Sequence, residues 1–497
     1  MPQSNELGQG LLILSCSSSP SASYPAGQCD ACPSSEPISF PSDQASPSNG
    51  GYRAVPLLNV QLDDGYHLIH TPWTKYAPFI VSRDAYALIE YFKSPRSLEN
   101  VPVTWERALG SEEIRRTLKR MVTLGILVSE ANSLPKLIES LGTLTAWLHV
   151  TNACNLRCDY CYLSKTPQEM SQEVGQSAVK AVFRSAARHK YGKVKLKYAG
   201  GEPTLNFRLI VRLHSLASRL ASQHDLELDG LVLSNGVGVT LQMLEEMQTL
   251  GLRLAVSLDG LGCYHDCHRR LLDRNGSFDI VTRTIDLALS CGLIPDISIT
   301  VSGRNANGVP ELVAWLQERS LPFSINFYRE NDYSASAEDL CLEDQHIIET
   351  MQATYRVIKA NLPRQSLLAS LADQVNLAVP HLRPCSVGVS YFVVDHLGRI
   401  AKCQMDIEHP VTDVSALDPL AEVRAATRGI QNLSVDEKEE CSSCEWRYWC
   451  SGGCPLATYR STGRYDAKSP NCAIYKALCP EILRLEGLRV VCQHTTA

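Results

Sequence analysis

The sequence predicts an α/β protein: a parallel sheet rolled into a partial, TIM-like (β/α)6 barrel, preceded by a small winged-helix-like unit and followed by a cysteine-rich domain. Between residues 144 and 330 six short apolar runs, LTAWLHV, VKLKYAGG, LDGLVLSNG, LRLAVSLDG, DISITVSG and FSINFYRE, alternate with helical stretches. That alternation is the pattern of a parallel sheet with crossover helices. Small and polar residues gather where these runs end, and barrels of this kind carry their chemistry at the carboxyl ends of the strands. The 19 cysteines are clustered, nine of them between residues 385 and 492.

A chain of 497 residues with net charge −6 is long enough for about three domains. It lacks the basic field that would draw nucleic acid or an anionic membrane. No apolar run approaches the roughly 18 to 20 residues of a membrane span. The stretch GLLILSC at residues 10–16 lacks the basic start of a lipoprotein signal. The expectation is a soluble, cytoplasmic protein, in which clustered cysteines mean metal ligation rather than a disulfide framework.

Taken in order, residues 1–51 are rich in Ser, Pro, Gly and Gln and read as a disordered tail. Their Cys29–Cys32 pair is too small a set to close a metal site. Residues 52–138 turn globular, with extended patterns at 56–61 and 66–70, helical patterns at 82–92 and 111–124, and a closing GILVSE like the wing of a winged helix. Arg115, Arg116, Lys119 and Arg120 on the second helix read as a solvated face. The barrel occupies 139–345, a helical linker 346–384 and the cysteine-rich domain 385–497.

Three cysteines in CxxxCxxC spacing, Cys154, Cys158 and Cys161, follow the first barrel run. Three thiolates on one short loop can cap three irons of a [4Fe-4S] cluster and leave the fourth open. Residues 150–175 contain no His and no further Cys, so a zinc knuckle, the competing reading of the loop alone, is short of a ligand. At the end of the second run, Gly200 and Gly201 allow close backbone approach to a ligand, and Glu202 offers an acceptor for an ammonium group. Ser234, Asn235 and Gly236 end the third run and Ser257, Asp259 and Gly260 the fourth, followed by His265, Asp266 and Arg269. Each of these is also an ordinary turn residue. Downstream stand Cys385, Gly398, Cys403, Cys441, Cys444, Cys450, Cys454 and Cys472, the later ones spaced CxxCxxxxxCxxxC.

In this order the motifs resemble the radical S-adenosylmethionine (SAM) superfamily, and the seven downstream cysteines resemble the SPASM extension of its peptide-modifying branch. The resemblance implies a catalytic cluster on Cys154, Cys158 and Cys161, and SAM held by Gly200, Gly201 and Glu202 at its amino group. It puts the turn of Ser234, Asn235 and Gly236 near the ribose, and Ser257 with a downstream arginine, Arg269 ahead of Arg270, Arg274 and Arg283, near the carboxylate, and counts Asp259 among the SAM-binding residues. It also implies two auxiliary [4Fe-4S] clusters, one on Cys441, Cys444, Cys450 and Cys472, the other on Cys385, Cys403 and Cys454. Relatives supply a fourth ligand to the latter from a cysteine just before the first. Residues 375–384 contain none, which leaves His381 or an open iron. Sulfatase-maturating relatives carry an Asp after the cysteine matching Cys403; Gln404 stands here, with Asp406 two residues on.

The implied function is maturation of a ribosomally made precursor peptide through a 5'-deoxyadenosyl radical, giving a crosslink, a thioether or, as in spliceases, backbone excision. A reducing electron donor is required, and a small leader-binding protein is an optional partner. The unit at 52–138 resembles precursor-peptide recognition elements, which add a leader peptide as a strand at a sheet edge. Three alternatives stay open: an anaerobic sulfatase-type maturase, a noncatalytic iron-sulfur or zinc scaffold that binds peptide, and a winged helix that binds nucleic acid.

Overall fold

The computed structural model describes residues 13–15, 38–39, 51–74, 78–135, 137–139, 142–334 and 337–495. All six predicted barrel runs form strands: β1 Thr143–Thr151, β2 Lys193–Gly200, β3 Glu227–Ser234, β4 Leu252–Ser257, β5 Asp296–Val301 and β6 Phe323–Phe327. They pair in parallel in chain order. Helices cover the outside: α1 Gln172–Arg188, α2 Phe207–His224, α3 Leu241–Leu250, α4 Phe278–Ser290 and α5 Val309–Glu318.

Burial on both faces explains why these strands read as apolar runs instead of alternating ones. Leu144, Ala146, Leu148 and Val150 of β1 face the helical layer and join the largest core. Trp147, on the opposite face, belongs to a smaller cluster with Ala199, Cys385, Tyr391 and Cys403.

The barrel stays open at β6, while its other edge is extended. Strand β7, Tyr391–Val394, lies parallel to β1, and β8, Arg399–Ala401, and β9, Thr412–Asp413, continue antiparallel. The cysteine-rich segment therefore shares one nine-stranded sheet with the barrel. The span 346–384, expected as a helical linker, is helical only through Ala360. That helix, α6 Asp344–Ala360, packs on α5 and on the C-terminal helix α7, Cys472–Thr495.

The N-terminal unit forms the expected strands at Leu58–Gln61 and Tyr66–His70 and helices at Arg83–Tyr91 and Ser111–Thr123. A third strand, Phe79–Ser82, and a helix, Val103–Leu109, went unpredicted. The closing run pairs as Leu127–Ser129 with Tyr52–Ala54. Its sheet is two-faced: Ile69, Phe79 and Val81 fill the unit's own core, while Leu58, Val60, Leu68 and Ile80 join the main core. His70 stacks on Trp449 at 3.9 Å between ring centroids. The four basic residues of Ser111–Thr123 are exposed between buried Ile114, Leu118 and Met121, as a solvated face should be.

Residues 1–51, expected as a disordered tail, contribute two short strands. Ile13–Ser15 pairs antiparallel with Phe79–Ser82, and Ile38–Ser39 with Ile138–Glu139. Cys29 and Cys32 lie outside the described residues.

Candidate active site

The loop bearing Cys154, Cys158 and Cys161 leaves the carboxyl end of β1 and is tied down from three directions. The segment after β4 holds it by backbone: Arg157 N–H donates to the Arg270 carbonyl (2.8 Å) and Asp159 N–H to that of His268 (3.2 Å). The end of β2 holds it from beside, since Gly201 N–H donates to the Thr151 carbonyl and Glu202 N–H to that of Ala153, both at 2.8 Å. The turn after β3 holds it through Asn235, whose amide donates to Asn155 Oδ1 at 2.8 Å and approaches Cys154 Sγ at 3.8 Å.

Gly200 and Gly201 are required, but what approaches them is the cluster loop itself. A Cβ on Gly200 would stand 2.3 Å from the Thr151 carbonyl oxygen, and one on Gly201 2.3 Å from that of Ala153. Glu202 is fully buried. Its Oε1 accepts from the Thr204 N–H, the Thr204 hydroxyl and the Ser234 hydroxyl, and its Oε2 from the Asn235 N–H at 2.7 Å. One carboxylate thus joins the ends of β2 and β3, with spare acceptor capacity on Oε2.

Asp259 is the second hub. It is buried, and its Oδ2 accepts from the Tyr160 hydroxyl and from Arg269 Nε, each at 2.6 Å, while Oδ1 accepts from the Thr300 N–H. The Arg269 guanidinium lies 5.3 Å from the Tyr160 ring centroid. Despite burial, the Arg269 charge holds the Asp259 carboxyl below the usual carboxylate range. Burial drives the Cys158 thiol up to about 12, against the pull of Arg269. Of the other candidates, Ser257 is half-buried at the end of β4. His265 shares a contact with Ser277 Oγ (3.0 Å), and Asp266 accepts from the Ser277 and Phe278 N–H groups at the start of α4.

The downstream cysteines separate into two cavities. Cys441, Cys444, Cys450 and Cys472 line one, with Trp446 and Tyr475. Cys385, Cys403 and Cys454 line the other, which also reaches Tyr160 and Tyr162 of the cluster loop and Asn326 and Arg329 at the end of β6. Cys454 thus leaves its sequence neighbours for the second cavity. Among the described residues no three His, Cys, Asp or Glu side chains close to the span of a single metal ion, whereas a zinc site draws its thiolates in to about 2.3 Å from one centre. His381 lines neither cavity; its Nδ1 contacts the Val379 carbonyl at 3.1 Å, and its Nε2 is buried without a hydrogen-bond partner among the described residues. Gln404 lines the second cavity and accepts from the Tyr391 hydroxyl, while Asp406 pairs with His409.

Sequence reasoning missed Trp147, Tyr160 and Arg329. Tyr160 stood inside the CxxxCxxC run and Arg329 inside the sixth run, two residues past its strand Phe323–Phe327. Arg329 is held by both oxygens of buried Asp373, at 2.7 and 2.8 Å, a pairing that no local pattern signals.

The parallel barrel carries three loop cysteines at its mouth and a second thiol-lined cavity beside them. Residues 148–316 match the Radical SAM superfamily model; this barrel is a radical SAM domain, and the chain is an enzyme that uses SAM. An uncharacterized protein of Archaeoglobus fulgidus is 24% identical over 346 residues, 67% of this chain and 79% of that protein. Fe-coproporphyrin III synthase of Methanosarcina barkeri is 24% identical over 212 residues, 42% of this chain and 50% of its own length. The sporulation killing factor maturation protein SkfB of Bacillus subtilis is 28% identical over 180 residues, 35% of this chain and 40% of that protein. The chain thus spans half or less of these two named relatives. A solved structure described as native anSMEcpe with bound AdoMet and Cp18Cys peptide shares the fold, with TM-score 0.56, 18% identity, and coverage of 69% of this chain and 99% of that one. Among the described residues no helix is long and apolar enough to cross a membrane.

Proposed function

We propose that this enzyme matures a ribosomally made precursor peptide. The observation that carries the reading is the single cavity bounded on one side by Tyr160 and Tyr162 of the cluster loop and on the other by Cys385, Cys403 and Cys454. A peptide side chain entering it lies between the catalytic loop and a second thiol set. The names of SkfB, a maturation protein, and of the peptide-bound anSMEcpe complex agree with a peptide substrate.

Cys154, Cys158 and Cys161 would hold the catalytic [4Fe-4S] cluster, which, with SAM on its open iron and an electron from a reducing donor, supplies a 5'-deoxyadenosyl radical. The residues around it have their own tasks. Gly200 and Gly201 keep the loop seated against β2. Glu202 offers the remaining capacity of Oε2 to the SAM amino group, Ser234 and Asn235 border the ribose, and Ser257 and Arg269 border the carboxylate. Asp259 acts behind them, fixing Arg269 and Tyr160. Two auxiliary clusters would occupy the downstream sites, the one on Cys385, Cys403 and Cys454 having an open iron, because His381 lines neither cavity. With Gln404 beside Cys403 and Asp406 paired with His409, the position where sulfatase-type maturases carry their base holds an amide, which weighs against that reading. Crosslinking, thioether formation and backbone excision remain the candidate outcomes.

Anaerobic reconstitution followed by dithionite and SAM should yield 5'-deoxyadenosine from the native chain and none from Cys158→Ala. Co-expression with short open reading frames beside its gene should change a peptide's mass, a loss of two hydrogens indicating crosslinking and a larger loss excision. SAM cleavage without any peptide modification, coupled to turnover of a small molecule, would overturn the peptide reading.

A further inference from the structure

One wall of the second cavity is a chain of hydrogen bonds that runs from the catalytic loop to the downstream thiols. It begins at Tyr160, the residue before Cys161, whose carbonyl accepts from the Asn331 side-chain amide at 3.1 Å; that amide also reaches the Arg329 carbonyl at 3.4 Å. The Arg329 guanidinium donates to both oxygens of Asp373 and, at 3.1 Å, to Gln374 Oε1. Gln374 Nε2 then donates to the Pro384 carbonyl at 3.2 Å, and Pro384 precedes Cys385. This is the orientation of the Gln374 amide in which each end meets a complementary partner. Tyr160, Arg329, Gln374 and Cys385 all line the cavity.

Gln374 makes this link from a strained backbone. Its φ is 57°, in the left-handed region that is costly for most residues other than glycine. The other non-glycine residues at positive φ among the described residues line neither thiol cavity. Strain of this kind persists where the surroundings over-determine it, and both flanks of Gln374 are fixed. Asp373 is buried against Arg329. On the other side the Asn376 and Leu377 N–H groups donate to the Trp449 and Leu368 carbonyls, at 3.0 and 2.7 Å. A glycine would hold the same turn without strain, but it could not bridge Arg329 to Pro384.

We propose that Gln374 is a positioning residue: through Arg329 and Pro384 it sets the spacing between the Cys154 to Cys161 loop and Cys385, so that a peptide held in the cavity meets both. The strut stands on the contacts above, while its task in turnover rests on the peptide reading of the cavity. Loss of that spacing should let SAM be cleaved without peptide modification.

Two variants of the full, reconstituted chain separate the bridge from the backbone. Gln374→Gly relieves the strain and removes both hydrogen bonds; Gln374→Glu still accepts from Arg329 but has no proton to give the Pro384 carbonyl. Hydrogen exchange over residues 385–390 should be at least tenfold faster in both variants and unchanged in β3 and β4, while Gln374→Gly keeps a thermal midpoint no lower than the native one. With the precursor found by co-expression, the ratio of 5'-deoxyadenosine to modified peptide should rise at least tenfold in both. Native exchange rates over residues 385–390, or a native ratio in Gln374→Gly, overturn the proposal. A thermal midpoint that falls in Gln374→Gly would reduce the residue to a structural role and overturn it as well. If the native chain modifies no peptide, the peptide reading fails, and the exchange rates alone decide the strut.

Discussion

At the residue scale the site depends on two buried carboxylates that fasten the catalytic loop to its neighbours. Asp259 neutralises Arg269 and accepts the Tyr160 hydroxyl. Replacing it by Asn leaves a buried guanidinium without its counter-ion, at a cost of about 3–5 kcal/mol. Asp259→Asn should therefore lower the thermal midpoint and the iron bound at the catalytic site, whereas Arg270→Ala, on an exposed side chain, should do neither. Native stability and iron content in Asp259→Asn would refute the hub. Gly201→Ala tests the loop from the other side, since its Cβ collides with the Ala153 backbone instead of a flexible side chain. The expected result is a soluble chain that loses the catalytic cluster and keeps the iron of the downstream cysteines.

These residues also show how much of the site could be read in advance. Cys154, Cys158 and Cys161 and the seven downstream cysteines stood out by their spacing, while the division of the seven into two sets came from the resemblance. Asp259 was legible as a site residue but not as a hub, because its partners Tyr160 and Thr300 are 99 and 41 positions away. Lys438 was invisible for a related reason: a lysine among acidic residues reads as surface, and only the fold buries it.

At the element scale the barrel strands were the most legible part, since burial on both faces leaves continuous apolar runs. The short strand Ile13–Ser15 was not, because a polar low-complexity context outweighs one apolar run. It matters for the peptide reading, as it covers the outer edge of Phe79–Ser82 in the register Ile13 to Val81 and Ser15 to Phe79. An edge strand with unpaired backbone groups is a ready template for an incoming peptide. Here a segment of the same chain holds it. Leu14→Pro removes a backbone donor and should free the edge. A fluorescent peptide of sequence GLLILS should then bind the variant at least tenfold more tightly than the native chain, measured by anisotropy. Equal affinity for both would exclude that edge as a peptide site.

The docking of the N-terminal unit has its own signature in pH. His70 donates from Nε2 to the Leu377 carbonyl at 2.8 Å and stacks on Trp449, and burial lowers its pKa to about 3. The unfolded chain takes up this proton near pH 6.5, and the folded one does not. Stability from the neutral ring is complete above pH 6.5 and declines as the pH falls toward 3. His265, lowered to about 3, and His149 and His381, lowered to about 4, add to the same slope. The urea midpoint should fall steadily from pH 7.5 to 5.5, and more shallowly in His70→Gln; a flat profile would contradict the buried neutral rings.

At the scale of the whole molecule the cysteine-rich segment is continuous with the barrel, although composition separates it sharply. Composition reports what a segment is made of; hydrogen-bond partners across 246 positions, such as Tyr391 opposite Thr145, leave no trace in it. Strand β1 is central because β2 flanks it on one side and β7 on the other. Eight of its nine residues are buried. Removing residues 385–497 would strip β7 from it and leave a long apolar edge open to solvent, the arrangement that drives edge-to-edge association. The truncated chain should be insoluble or oligomeric even with the catalytic cysteines intact. Replacing Cys441, Cys444, Cys450 and Cys472 by Ala in the full chain should instead keep β7 paired and the protein monodisperse. Size-exclusion chromatography of the two proteins separates the sheet's contribution from that of the clusters: a soluble, monomeric truncation would mean that the barrel stands without its seventh strand.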